Sequence, residues 1–401
     1  MDTLIKQTGC GGIATTFTKD LLIDPKTRDA SDIRHALSAA ATSTSAQRAQ
    51  DFLASVGALE TVKAHGSYKE LVENPEVDIV YVATPHSHHY QHARLALEAG
   101  KHVLVEKPIT VNVEQCKELR KIAKEKGRFM MEAVWTRFFP LSREVCEIIQ
   151  SARLGTITRV FADFSFWNDV EKEFGKEHRM INPELAGGAL LDLGIYSLTW
   201  VFMALYHCQP QSQSQDYNNS NNNNNNNNNN KREEPIITSA VTKGTTGVDE
   251  TTTVLLHFPT SGSHGIAGTS IRVATTPNAS HPSADAIRIQ GTLGDLTIDY
   301  APRPRAYTLI PAANDKRGKP ADFEYEVVNK FRAIPGGGHG MFWEADECAR
   351  CVRDGKSESS VCGLEETEVV MRVMDRVRRD GGVVYPERIE NLKYPLAGFG
   401  V

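Results

Sequence analysis

Between residues 78 and 132 the chain alternates short apolar runs with longer helical stretches, and this limits the folds open to it. Residues 78–83 (DIVYVA) are β-branched and aromatic, the pattern of a strand buried on both faces. Residues 89–99 follow with helical composition and end at Gly100, which suits a C-cap. Residues 102–105 (HVLV) are the next strand, 113–126 a charged helix that stops at Gly127, and 128–132 (RFMME) a third strand. Strands joined by helices of this length need crossover connections and run parallel. The first third is therefore expected to form a doubly wound parallel sheet.

After residue 133 the pattern changes. Residues 158–167, 251–258, 265–275, 286–299, 307–310 and 323–328 read as strands, several with alternating apolar and polar positions. Turn signals separate them: Thr260-Ser261-Gly262, Gly291-Thr292-Leu293-Gly294 and the Pro-rich stretch 301–305. Consecutive strands with short loops pair antiparallel. Helices are expected at 142–152, 189–206, 341–354 and 365–379. The chain is thus expected to be α/β. Residues 1–133 would hold the doubly wound parallel sheet, and 134–401 an α+β domain with a large, open, mostly antiparallel sheet. Two segments break this scheme. A buried strand should precede the glycine turn at Gly9, yet residues 1–8 offer only Leu4 and Ile5 ahead of Lys6 and Gln7, so the first strand is expected to be degraded. Residues 209–234 contain an Asn tract with no apolar surface to offset its ordering entropy, and are expected to form a disordered insertion.

Composition narrows the function classes. The 401 residues carry 45 Lys+Arg against 50 Asp+Glu, a net charge of −5. A mixed, mildly acidic surface speaks against a nucleic-acid binder. The longest apolar stretch, 189–206, contains Asp192 and reads as a core helix, so no membrane partner is expected. The first residues lack the basic and apolar regions of a signal peptide. Seven scattered cysteines suggest no disulfide framework and a reducing, cytoplasmic setting.

Gly9-Cys10-Gly11-Gly12-Ile13-Ala14 fits G-x-G-x-x-A, the turn that admits a dinucleotide pyrophosphate at a helix N-terminus. Residues 36–45 (ALSAAATSTS) read as the second strand. A site for NAD places an acid there to hold the ribose hydroxyls. This stretch has none; Ser43, Thr44 and Ser45, with Arg48 one turn later, could instead bind a 2′-phosphate. The same hydroxyls would equally cap a helix starting at Ala46. Thr84, Pro85, His86 and His89 follow directly on the strand 78–83, at the end where ligands bind in such sheets. The spacing of His86, His88, His89 and His92 matches no compact zinc signature, and Cys348 and Cys351 lie in a charged helix without a second pair, so no metal is expected. Glu106-Lys107-Pro108 ends the next strand, where the lysine either faces the cofactor side or is a surface residue in a turn. Asp192 and Tyr196, at i and i+4, share a face of the helix 189–206. A phenol there serves as general acid or base if a nearby cation lowers its pKa from about 10, and is otherwise a core tyrosine bonded to Asp192.

Together these stretches are more specific than any one of them. GCGGIATTFTKDL, VDIVYVATPHSHHYQHARLALEAGKHVLVEKPITVN, MMEAVWTRFFP, GGALLDLGIY and GHGMFWEADECARCVRDGK, spread from Gly9 to Lys356, resemble the glucose–fructose oxidoreductase / inositol dehydrogenase (Gfo/Idh/MocA) family. Within it, EAVWTRFFP and LLDLGIY look most like the NADP-dependent D-xylose dehydrogenases and the dimeric dihydrodiol dehydrogenases. The resemblance implies a Rossmann domain followed by an α/β domain whose open sheet often forms a homodimer interface. It implies NADP as cofactor and a small sugar or diol as substrate. It also implies that Tyr196 takes the hydroxyl proton, that Lys107 stabilises the tyrosinate and that Asp192 orients the pair. Trp135 and Arg137 would line the nicotinamide and substrate pocket. The activity implied is oxidation of the C1 hydroxyl of an aldopyranose such as D-xylose to the lactone. A trans-dihydrodiol substrate and a non-catalytic dinucleotide or sugar sensor are the alternatives.

Removing residues 211–230 is expected to leave stability and activity nearly unchanged, because loop-closure cost changes by only about 0.6 kcal/mol per doubling of length. Thermal denaturation and a rate assay of the deletion variant check this. A fall in Tm of more than about 5 °C would show that the tract packs on the domain.

Overall fold

The computed structural model describes residues 10–209, 234–278, 285–312 and 327–401, and the backbone of residues 2–8. Gly9, nearly all of the Asn-rich insertion and most of the strand expected at 323–328 lie outside the described residues.

Six strands form one sheet: β1 (Asp2–Thr8), β2 (Arg34–Ala41), β3 (Lys63–His65), β4 (Ile79–Val82), β5 (His102–Glu106) and β6 (Met130–Ala133). Their order is β3-β2-β1-β4-β5-β6 and every pair is parallel. The first strand is therefore present, which corrects the expectation drawn from its polar residues. β1 lies in the centre, with Ile5 paired to Ile79 and Thr8 to Val82 of β4. The ladder is made by main-chain groups that every residue except proline carries, so it forms without an apolar sequence.

The two faces of this sheet are separate cores. Ile79, Tyr81 and Leu104 pack with residues of α1 (Gly12–Leu21), α2 (Ala46–Ser55) and a later helix, α8 (Phe342–Arg353). Val80, Val82, Val103 and Val105 face the other way, beneath α4 (His89–Glu98) and α5 (Val113–Lys126), with α3 (Tyr68–Glu73) beside them. A strand covered on both sides has no face for polar residues, hence the run IVYV in β4. The helix ends follow local chemistry. Asn112 accepts the Gln115 N–H at 3.0 Å to start α5, and Gly127 ends it at φ +62°, a left-handed conformation.

Eight further strands form the second sheet: β7 (Ile157–Asp163), β8 (Ile236–Lys243), β9 (Asp249–Phe258), β10 (Ser263–Ser270), β11 (Ile287–Gly291), β12 (Gly294–Ile298), β13 (Ala306–Pro311) and β14 (Val328–Phe331). Their order is β14-β13-β12-β11-β7-β10-β9-β8, antiparallel except where β7 meets β10. The expected single strand 286–299 is the hairpin β11–β12, turning at Gly291–Gly294. β8, directly after the Asn tract, was not anticipated. Across this sheet lies α7 (Ile195–Phe202), extended by wider π-type turns at Leu190–Gly194 and Met203–His207. The helical stretch Pro183–His207 around it is long and apolar enough to cross a membrane, yet protein encloses it. The approach is so close that a side chain on Gly265 of β10 would begin 2.2 Å from Val201 Cγ1. Cys208, at the end of this helical segment, forms a disulfide with Cys146 in α6 (Pro140–Gln150). No disulfide framework was expected, and this single pair is the one exception among the seven cysteines. The pair is 62 residues apart in sequence, and only packing brings the Cα atoms to 5.3 Å.

Two buried carboxylates fasten α8 to the first sheet. Asp20 in α1 accepts the N–H groups of His339 (2.8 Å), Gly340 (2.7 Å) and Met341 (2.8 Å), just ahead of α8. Asp346 within α8 accepts from Arg28 Nε at 2.7 Å and meets His35 Nε2 at 2.6 Å. Asp20→Ala leaves these N–H groups without their acceptor and is expected to cost about 2–3 kcal/mol, measured by denaturant unfolding. A loss below about 1 kcal/mol would mean that the loop finds other partners.

Candidate active site

The carboxyl ends of the central strands open into a cavity of about 750 Å³ lined by residues of both halves of the chain. At one end α1 begins. Gly11 is its N-cap, with no side chain capping the first turn, and a carbon added at Gly11 or Gly12 would meet no atom within 4 Å. Uncapped N–H groups below open space fit an approaching pyrophosphate. Cys10, Gly11, Gly12 and Ile13 line this part, whereas Ala14 is buried in the core between helix and sheet.

The next stretch of wall is made by Thr42, Ser43, Arg48 and Tyr68. Among the described residues here none is acidic. Thr44 and Ser45, expected at the same place, build the turn instead of the wall. Ser45 Oγ accepts the Arg48 N–H at 3.2 Å as the cap of α2, and the Thr44 hydroxyl lies 3.4 Å from that of Thr42. Helix capping thus claims Ser45, and the unforeseen Thr42 takes a position on the cavity.

Thr84 and Pro85 open beside the glycine turn, because β4 neighbours β1, and the cavity further gathers His86, His89, Glu106, Lys107, Trp135, Asp192 and Tyr196. Lys107 leaves the end of β5 and its Nζ donates to Asp192 Oδ1 (3.0 Å) and to the Asp192 carbonyl oxygen (2.7 Å). Arg179 Nη1 lies 3.1 Å from Asp192 Oδ2, and His86 Nε2 lies 3.6 Å from Oδ1. Burial alone would raise the Asp192 carboxyl, but the charges of Lys107 and Arg179, with His86, hold it well below the usual carboxylate range. Asp192 sits in the wide turn Leu190–Gly194 and Tyr196 one turn on, so both reach the cavity.

Trp135 Nε1 donates to the Tyr196 hydroxyl at 2.8 Å, and Phe164 packs edge-on against the Tyr196 ring at 5.2 Å. The Lys107 ammonium stands 5.0 Å from the centre of that ring. Burial, followed by the charge of Glu106, pushes the phenol well above the usual tyrosine range. The expected lowering by Lys107 is therefore reversed: its nearest oxygens are those of Asp192. Burial likewise raises Glu106 to about 7, against the hydrogen bond from Tyr81 and the charge of Lys107.

Arg137 is not part of this cavity. Its guanidinium donates to the Val361 carbonyl and, at 2.8 Å, to Glu366. Trp135–Phe138 is a single tight turn with about three residues per turn, so positions two apart point in different directions. Phe164, Phe166, Tyr300, Arg179 and Arg303 also line the cavity and were not anticipated. The alternation at Phe164 and Phe166 was a usable signal. Arg179 comes from an irregular loop in which no period marks it.

Comparison with known proteins agrees with this arrangement. Residues 8–134 match the Gfo/Idh/MocA oxidoreductase family model with an NAD-binding Rossmann fold, and residues 142–297 match the family's C-terminal domain. The chain is 45% identical over 384 residues to D-xylose 1-dehydrogenase (NADP(+)) of Hypocrea jecorina, covering 94% of this chain and 92% of the relative. It is 33% identical to trans-1,2-dihydrobenzene-1,2-diol dehydrogenase of Macaca fascicularis, over 81% and 84% of the two chains. Among solved structures, the aldose-aldose oxidoreductase of Caulobacter crescentus shares the fold, with a TM-score of 0.71 at 21% identity over 95% and 98% of the chains. With the parallel sheet, the uncapped glycine turn and both family models in place, this chain belongs to the Gfo/Idh/MocA family of oxidoreductases.

Proposed function

We propose that the protein is an NADP-dependent dehydrogenase that oxidises the C1 hydroxyl of an aldopyranose such as D-xylose to its lactone. The observation that carries this is the meeting of Lys107, Asp192 and Tyr196 in the cavity that also holds the glycine turn of α1. The 45% identity to a D-xylose 1-dehydrogenase (NADP(+)) supports the substrate class and the cofactor. Gly11 and Gly12 would hold the pyrophosphate, and Thr42, Ser43 and Arg48 the 2′-phosphate. Bound NADP supplies the hydride acceptor.

The residues handle the proton. A hydroxyl placed beside Tyr196 gives its proton to the phenolate oxygen as hydride leaves C1; in reverse, the neutral phenol donates to the carbonyl. Burial and Glu106 oppose the phenolate, and the Trp135 N–H favours it. Lys107 stays paired with Asp192 and directs positive charge at the substrate oxygen. A non-catalytic sensor has no need of all three groups in one cavity. The aromatic wall of Phe164, Phe166 and Tyr300 favours a trans-dihydrodiol as a second substrate class.

We infer a homodimer as well, because the second sheet exposes Phe161, Leu255, Ile310 and Phe331, apolar surface that a second copy would cover. We infer a cytoplasmic setting too: five of the seven cysteines are free, against the single Cys146–Cys208 bridge.

Tyr196→Phe and Lys107→Met are each expected to lower kcat by at least about 10²-fold. NADP binding, followed by fluorescence quenching, should survive Tyr196→Phe. Near-full kcat in Tyr196→Phe would refute the assigned role. Because the phenol is raised, its reactive phenolate fraction grows as pH rises towards its pKa. Sugar oxidation should therefore still be accelerating above about pH 8 in the native enzyme, and a plateau already reached at about pH 7 would exclude a buried phenol as the base.

Higher kcat/KM with NADP than with NAD is expected, and Arg48→Ala should reduce that preference about tenfold, as the loss of one charge-assisted contact of about 1.5–3 kcal/mol allows. Equal kcat/KM for the two cofactors in the native enzyme would overturn the assignment.

A further inference from the structure

We propose that the segment 391–401 positions the cofactor wall, with His92 and Gly400 acting through Thr84, Ser43 and Tyr68. This rests on the reading of that wall as the site of the adenosine half of NADP.

The segment runs back along α4 and is held by three successive residues of that helix. The Tyr90 hydroxyl donates to the Leu392 carbonyl at 3.0 Å. Gln91 takes both partners of its amide from the segment, donating to the Lys393 carbonyl (2.7 Å) and accepting from the Leu396 N–H (3.1 Å). His92 Nε2 meets the Phe399 carbonyl at 2.6 Å. Consecutive helix residues point about 100° apart, so the chain must wrap the helix to meet all three.

His92 links this wrap to the cavity. A carbonyl can only accept, so Nε2 carries the ring proton. Nδ1 is then the acceptor for the Thr84 hydroxyl, 3.0 Å away. The ring is fully buried, with Tyr68 edge-on at 4.4 Å, while Phe399 stacks at a tilt on His88 at 4.6 Å. Burial lowers the His92 pKa to about 3, so the ring stays neutral and keeps both bonds at ordinary pH.

One residue further on, Gly400 has φ +72°, and a Cβ there would start 3.1 Å from Ser43 Cβ and 3.8 Å from the Tyr68 ring. Thr84, Ser43 and Tyr68 all line the cavity. None of them touches the Lys107–Asp192–Tyr196 group in the contacts described above. The segment thus backs three wall residues that share no contact described above with the Lys107–Asp192–Tyr196 group, and its loss should weaken cofactor binding while sparing turnover.

The test compares full-length native protein with Gly400→Val, His92→Leu and His92→Gln. Kd for NADP and for NAD is measured by titration calorimetry, and kcat at saturating NADP and KM for D-xylose by absorbance. Gly400→Val and His92→Leu should raise the Kd for NADP by about tenfold or more, with kcat and the sugar KM within about twofold. His92→Gln, which keeps a donor for the Phe399 carbonyl, should fall between them and the native protein. A merely structural role would lower Tm and the active fraction without changing Kd, and that result overturns the proposal, as does a Kd unchanged within about twofold. Native protein that binds no NADP would instead overturn the cofactor reading on which the proposal rests.

Discussion

The Lys107–Asp192 ion pair is the contact on which the site depends, because its members come from different parts of the chain. Lys107 stands at the end of a parallel strand and Asp192 on the helical segment that crosses the second sheet. Two charges taken out of water are favourable only when their remaining hydrogen-bonding capacity is also met. Here the ammonium has a second acceptor in the Asp192 carbonyl, and the carboxylate has a second cation in Arg179. The pair thereby ties the end of β5 to the helical segment across the cavity.

Everything else in the cavity is arranged around that span. The strand order puts β1 next to β4, so the glycine turn and the Thr84–Pro85 loop open side by side. The helix Ile195–Phe202 presses close on β10, which leaves Tyr196 facing the cavity with its ring against Phe164 and its oxygen on Trp135. α8, anchored through Asp20 and Asp346, covers the opposite face of the parallel sheet and closes its core. The glycine turn and the Lys107–Asp192–Tyr196 group line one continuous space.

Much of this was legible in particular residues. IVYV could only be a strand covered on both faces, and Gly127 could only end a helix whose next residue needs a left-handed backbone. The i, i+4 spacing of Asp192 and Tyr196 placed them on one face before any coordinates. Other features were not legible, because they depend on partners remote in sequence. Residues 2–8 look too polar for a central strand, yet neighbours on both sides supply the ladder. Arg137 carries a family motif position but is claimed by Glu366, 229 residues away. Cys146 and Cys208 have no spacing signature, and they meet only because α6 packs at the end of the buried helix.

By itself the sequence determined the local order of strands and helices, the parallel and antiparallel halves, and the residue types able to bind a dinucleotide and move a proton. Those follow from periodicity, capping and backbone freedom, which act over a few residues. Only the tertiary structure decided which hydroxyl lines the cavity and which caps a helix, that Lys107 is paired with Asp192, and that burial and Glu106 push the Tyr196 phenol upward. Those outcomes depend on burial and on distances between groups tens or hundreds of residues apart. Electrostatic energies change steeply over such ångström-scale distances once water is excluded.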